Sequence, residues 1–367
     1  MKKALKIITY VIPLLVVLTL GFIGIRYFNE IRTLFSMTKV EGTNLYTMEY
    51  FSDYHFDDFL EVGADDNNAY YNYINNIMDG QINIGIVNRN TDSCSAFTVR
   101  DNEKNRYMAR NYDNTPNPVM MVVTAPKNAY KSISTVNLNC LGYNNESVPK
   151  KYDFKLFAAP YFPTDGMNEK GISISTLQVN FARKQKVPDK TTINAYALIR
   201  LVLDYAASID EAVELASEYN IYFDASMNVH FFICDKEGNS ALLEFVNGEM
   251  YVINNENEYQ IASNFNNTEE VFDDGGYVHY KQYSDWLQNM TTSAYDSEYS
   301  GYIRYDLMLD VLYNNSGIMS LDDTFTLLEN VASPTKLQYS VVYNMSKLEA
   351  TIITDNDWDK RTTVALK

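Results

Sequence analysis

Cys94-Ser95-Ala96-Phe97-Thr98-Val99-Arg100 and, one turn later, Arg106-Tyr107-Met108-Ala109-Arg110-Asn111-Tyr112-Asp113 are the stretch on which the reading of this chain depends. Residues 95–99 form a short β-prone run, 101–105 (Asp-Asn-Glu-Lys-Asn) are turn formers, and the strand-like pattern resumes at Arg106, which predicts a hairpin. Antiparallel pairing returns the end of the second strand to Cys94, so residues far along the chain become spatial neighbours. A thiolate nucleophile needs a nearby cation to lower its pKa and a polar group to hold that cation. Arg110 and Asp113 are expected to meet these two needs.

Further along, Asp165-Gly166-Met167-Asn168-Glu169-Lys170-Gly171 precedes a β-like Ile172-Ser173-Ile174-Ser175. With Cys94 and Arg110-Asn111-Tyr112-Asp113, the order of these motifs resembles the linear amide C-N hydrolases. These are N-terminal nucleophile hydrolases that include choloylglycine hydrolases, penicillin V acylases and related acyltransferases. The resemblance covers roughly residues 94–367 by motif order. It implies an α+β fold, a four-layer αββα sandwich. It also implies that Cys94 is the nucleophile and becomes a chain terminus when the Ser93–Cys94 bond is cleaved. Arg110 and Asp113 match the pair that orients and tunes that terminus, Asn264 matches an oxyanion-hole asparagine, and Arg304 an arginine close to the nucleophile. Gln178 falls where the bile acid hydrolases carry asparagine, so a backbone N–H there is expected to serve as the second oxyanion donor.

The residues support this chemistry independently. The chain has three histidines, His55, His230 and His279, none in a recognisable protease context. An α-amine titrates at about 7.7 to 8.0, so an amine freed at Cys94 can act as the general base that histidine otherwise supplies. Plainer readings stand beside these. Asn264 lies in turn-rich Asn-Phe-Asn-Asn, Arg304 sits on a helical pattern with Leu307, Met308 and Val311 where a salt-bridge arginine is at home, and 165–171 reads equally as a loop with Gly166 and Gly171 at unusual backbone angles. Cys140 and Cys234 lack such neighbours and read as core residues.

At the amino end, Lys2, Lys3 and Lys6 precede an uncharged run over 7–25 that ends at Arg26. That length crosses a hydrocarbon core of about 30 Å, and the bulky Thr19-Leu20-Gly21-Phe22-Ile23 offers no small-residue cleavage site, a cleaved signal peptide being the plainer alternative. The expectation is one retained transmembrane helix as a signal anchor over 1–26, a stalk and precursor segment over 27–93, and a hydrolase domain over 94–367. Basic residues ahead of the run place the catalytic domain outside the cell.

Of the 367 residues 46% are hydrophobic, enough for a sizeable core, and the net charge of −17 argues against nucleic acid as a partner. Three cysteines make no disulfide framework. No cofactor or metal-ligand spacing is apparent, and a homo-oligomer is left open. The expected partner is a small N-acylated substrate. Strand patterns at 119–124, 132–137, 229–234, 240–245, 249–253, 338–343, 349–354 and 362–366 alternate with helical ones at 193–207, 208–219, 301–313 and 321–331. Two function classes fit: a self-processed amidase or acyltransferase, and a non-catalytic cell-surface relative that binds a ligand.

Overall fold

The computed structural model describes residues 24–78, 93–179, 186–223, 228–268 and 300–366, with positions 14, 15, 17, 18, 21, 22, 84 and 182 between them. The hairpin forms as its sequence dictates. Strands β3 (Ser93–Arg100) and β4 (Arg106–Asp113) pair antiparallel with Cys94 opposite Tyr112 and Ala96 opposite Arg110. Their turn closes on Asp101, whose Oδ1 accepts from the N–H groups of Glu103 and Asn105. Lys104 takes the left-handed conformation there, at φ 67°.

Two large sheets follow. Edge to edge, the first runs β1 (Thr38–Lys39), β2 (Leu45–Tyr50), β5 (Val119–Thr124), β6 (Ser132–Asn137), β7 (Pro163–Asn168), β8 (Ile172–Gln178), β11 (Val229–Asp235), β12 (Ser240–Val246) and β13 (Glu249–Asn254). The second runs β14 (Ile261–Ala262), β3, β4, β15 (Leu337–Asn344), β16 (Glu349–Thr354) and β17 (Thr362–Ala365). A small parallel pair joins β9 (Thr192–Asn194) to β10 (Asn220–Tyr222).

Strand alternation sorts the core into three layers. Cys94, Ala96, Met108 and Tyr112 of the second sheet meet Met121, Ile133, Met167, Leu177 and Phe232 of the first, so the two sheets face each other. The opposite face of β3 and β4, with Phe97, Val99 and Ala109, packs against α6 (Ser300–Asn314) and α7 (Leu321–Val331). The outer face of the first sheet is covered by α4 (Ala195–Tyr205) and α5 (Ile209–Glu218). The αββα order expected from the sequence is thus the layering seen. Ser208 caps α5 by accepting from Glu211 N–H, and Ser320 with Asp323 forms a reciprocal capping box on α7.

The segment ahead of Cys94 is built into this body. After α1 (Phe28–Ser36), strand β2 pairs parallel with β5 and extends the first sheet. Then α2 (Phe56–Val62) and α3 (Asn67–Ile77) bury Phe56, Phe59, Tyr70 and Ile74 against Tyr161 and Phe162 in the outer core. The apolar run at 82–87 lies outside the described residues except for Ile84, whose backbone is held by Asn75. Most of the uncharged run at 7–25 lies outside them too. Among the described residues, no helix is long and apolar enough to cross a membrane.

One glycine expectation is corrected. Asp165-Gly166-Met167-Asn168 belongs to a strand, and Gly166 has an ordinary φ, whereas Gly171 in the following turn sits at φ 83°. Gly166 is required by close approach instead: a Cβ there would stand 2.6 Å from Ile133 O and 2.7 Å from Leu203 Cδ1. Helix α4 can lie close on the sheet because that side chain is missing.

Candidate active site

Because side chains alternate along a strand, Cys94 and Arg110 share the face of the hairpin that looks between the sheets. Cys94 is buried, and Arg110 Nη2 lies 3.9 Å from its Sγ. A guanidinium at that distance favours the thiolate. Arg110 itself is wholly buried and anchored by acceptors. Its Nη1 donates to Asp165 Oδ2 and to Thr164 O, both at 2.6 Å, and its Nη2 donates to Thr176 O. It also lies 4.8 Å from the centroid of the Tyr112 ring, which stacks on Tyr339. The surrounding anionic and phenolic groups raise the Arg110 pKa beyond its ordinary value against the opposing effect of burial, so it stays charged.

The carboxylate that holds this cation is Asp165, not Asp113 as the sequence suggested. Asp165 accepts from Arg110 and from the hydroxyls of Tyr339 and Tyr343, each at 2.5 Å. Thr164 and Thr135 continue the network to the same two tyrosines. Asp113 falls on the other face of β4, three positions from Arg110 and out of phase with it in the period of two. There it pairs with Arg304 Nη1 at 3.0 Å and accepts from Ser333 N–H.

Asn264 connects the two faces. Its Oδ1 accepts from the Cys94 N–H at 2.5 Å and from Arg304 Nη2 at 2.6 Å, and its Nδ2 donates to Gln178 O at 2.8 Å. Two donors facing Oδ1 and an acceptor facing Nδ2 fix which way the amide points. Gln178 therefore contributes a carbonyl to this cluster, where a donor N–H was expected. Val179 N–H, the next residue, bonds across the ladder to Asn228 O, and alternation turns the Gln178 carbonyl toward Asn264. Cys94, Arg110, Asp113, Asn264, Arg304 and the Gln178 backbone thus converge at one end of the second sheet. Arg304 reaches the Cys94 backbone through Asn264.

Sequence reasoning missed the supporting residues. Asp165 stood within a quoted motif without a role, and Tyr339 and Tyr343, four apart on one strand, share a face by period alone. Glu244 was also missed, and His230 was named without a partner. His230 Nδ1 lies 2.9 Å from Glu244 Oε1, and both side chains are fully buried. The Glu244 carboxylate also accepts from Asn267 N–H and Thr268 N–H. It therefore ties down the loop that begins at Asn264.

Burial pushes the Asp113 carboxyl up to about 7, against the pull of Arg304 and the Ser333 N–H. A folded-state pKa above the unfolded value gives stability that is fully present below the unfolded pKa of about 4 and lost as pH rises through 7. Asp113→Asn is expected to remove that decline. Urea unfolding between pH 4 and 8 measures it, and a variant that keeps the wild-type slope contradicts the assignment.

Over 74% of this chain and 92% of theirs, two variants of a conjugated bile acid hydrolase from Clostridium perfringens share the fold, at 14% and 15% identity with TM-scores of 0.51 and 0.52. Penicillin V acylase from Agrobacterium tumefaciens does so over 71% of this chain and 83% of its own, at 16% identity and a TM-score of 0.51. The mixed α/β fold is that of these bile acid hydrolase and penicillin V acylase structures. In sequence, residues 94–290, more than half of the chain, match the model of the linear amide C-N hydrolases, choloylglycine hydrolase family. The chain belongs to that family. Penicillin V acylase from Pectobacterium atrosepticum is 30% identical over 112 residues, which span 28% of this chain and 30% of that relative.

Proposed function

We propose that the chain is a self-processing cysteine amidohydrolase that cleaves the linear carboxamide of an N-acylated small molecule through a Cys94 thioester. The observation that carries this reading is the Cys94 thiol beside the Arg110 guanidinium, with Asn264 on its backbone nitrogen. In maturation, Sγ attacks the Ser93 carbonyl carbon, the C–N bond to Cys94 breaks, and the nitrogen leaves as an α-amine. Water hydrolyses the resulting thioester and leaves Ser93 as a carboxyl terminus. Asn264 Oδ1, which holds the peptide N–H in the uncut chain, is placed to hold that amine.

In turnover the amine accepts the thiol proton and the thiolate attacks the substrate carbonyl. An amide nitrogen carries two hydrogens, so Asn264 Nδ2 can donate one to Gln178 O and the other to the developing oxyanion. The amine then protonates the leaving nitrogen and water discharges the acyl group. Asn264→Ala is expected to lower kcat by about a hundredfold to a thousandfold in processed protein. Full turnover by that variant, assayed on N-acyl substrates, would show that Asn264 is misassigned.

The basic flank and uncharged run at 7–25 support a membrane anchor with the catalytic body outside the cell. The precursor segment supports a two-chain product, since β2 is paired within the first sheet and its residues share the outer core.

A further inference from the structure

Helix α1 is apolar on two sides. Leu34 turns into the body, while Phe28, Ile31 and Phe35, spaced three and four apart, form an outward stripe that is 61%, 42% and 56% exposed. Tyr152 and Phe154, 48% and 50% exposed, continue that stripe from another part of the chain, and the rings of Phe35 and Tyr152 lie 4.7 Å apart. Between helix and loop runs a groove of about 680 Å³ floored by Leu34, Tyr50 and Phe157. Exposed apolar surface of this extent marks an interaction site.

The charges around it are unlike those of the rest of the molecule. Residues 24–39 and 148–155 carry Arg26, Arg32, Lys39, Lys150, Lys151 and Lys155 against only Glu30 and Asp153, in a chain of net charge −17. Lys150 and Lys151 are exposed, while Asp53 and Glu30 lie along the groove. The uncharged run at 7–25 ends at Arg26, two residues before α1 begins. Exposed aromatic rings flanked in sequence by lysines and arginines, joined to an apolar run, are the composition of a surface that lies in a bilayer interface.

We propose that this face, formed by α1 and the 148–155 segment, seats on an anionic lipid surface, with Phe28, Phe35, Tyr152 and Phe154 in the interface and the lysines on headgroup phosphates. Docking there sets the body's orientation, since α6 and α7 cover the sheet on the opposite side. This placement does not depend on the amidase chemistry.

The test uses the full chain in phosphatidylcholine vesicles with and without phosphatidylglycerol, spin-labelled at Phe154→Cys and, as a second variant, Tyr152→Cys. Tyr313→Cys, at a position 74% exposed on α6, is the aqueous control, and the chain with no added cysteine gives the background. With anionic lipid, labels at 152 and 154 are expected to become shielded from a water-soluble relaxation agent and accessible to oxygen, while the label at 313 stays aqueous. Lys150→Gln with Lys151→Gln should shift the docked-to-undocked ratio by about thirtyfold toward the undocked form. Labels at 152 and 154 as exposed to water as that at 313 in every vesicle, or no association with anionic vesicles at all, overturn the proposal. Shielding in a chain that lacks amidase activity would leave it intact.

Discussion

Cys94→Ala is expected to abolish amide hydrolysis, with kcat falling by on the order of a millionfold, as when a nucleophile that works as a unit with its base is removed. Sγ is the atom at this position able to form the acyl bond, and Arg110 is aimed at it. The loss should be chemical rather than structural. Cys94 is flanked on its face by Ala96, and without Sγ the Arg110 guanidinium keeps Thr164 O, Asp165 and Thr176 O as acceptors. Melting temperatures of the two proteins should therefore lie close together while turnover of N-acyl substrates separates them. Retained turnover in the alanine variant would place the chemistry on another residue.

The largest effect on stability is expected at Asp165. Removing one partner of a buried ion pair leaves an uncompensated charge, which typically costs about 3 to 5 kcal/mol. Here the removed carboxylate also receives two tyrosine hydroxyls, from Tyr339 and Tyr343, both buried. Asp165→Ala should lower the urea midpoint accordingly, and in whatever fraction folds it should weaken thiolate formation at Cys94 by freeing Arg110 to move. Iodoacetamide alkylation of Cys94 across a pH series reads the second effect. A variant within about 1 kcal/mol of wild type would mean that the Arg110–Asp165 pair is not what holds this interface together.

The hairpin was legible in the sequence because each of its cues is local: the β-prone runs, the Asp101 turn and a fixed period of two. Strands and helices with strong patterns, such as the meander at 229–254 and the capped helices at 209–218 and 321–331, were legible for the same reason. The partner of Arg110 was not. Proximity in sequence suggested Asp113, but the pleat separates residues three apart onto opposite faces, and the carboxylate that reaches Arg110 comes from β7 across the gap between sheets. Such contacts depend on which strands face each other, and no local pattern encodes that. The Glu244–His230 pair escaped notice likewise, because a Glu and a His on neighbouring strands look ordinary until burial forces them to pair. The role of Gln178 required knowing which way its carbonyl turns, which the ladder alone decides.

The proposed function rests on the chain opening at Cys94 to give the thiol its own amine. The intact mass of the purified protein tests this directly. Two fragments that part between Ser93 and Cys94, held together under native conditions by the β2–β5 pairing and converted to one uncut chain by Cys94→Ala, are the predicted result. A single uncut chain, the same mass pattern with or without the cysteine, would contradict it.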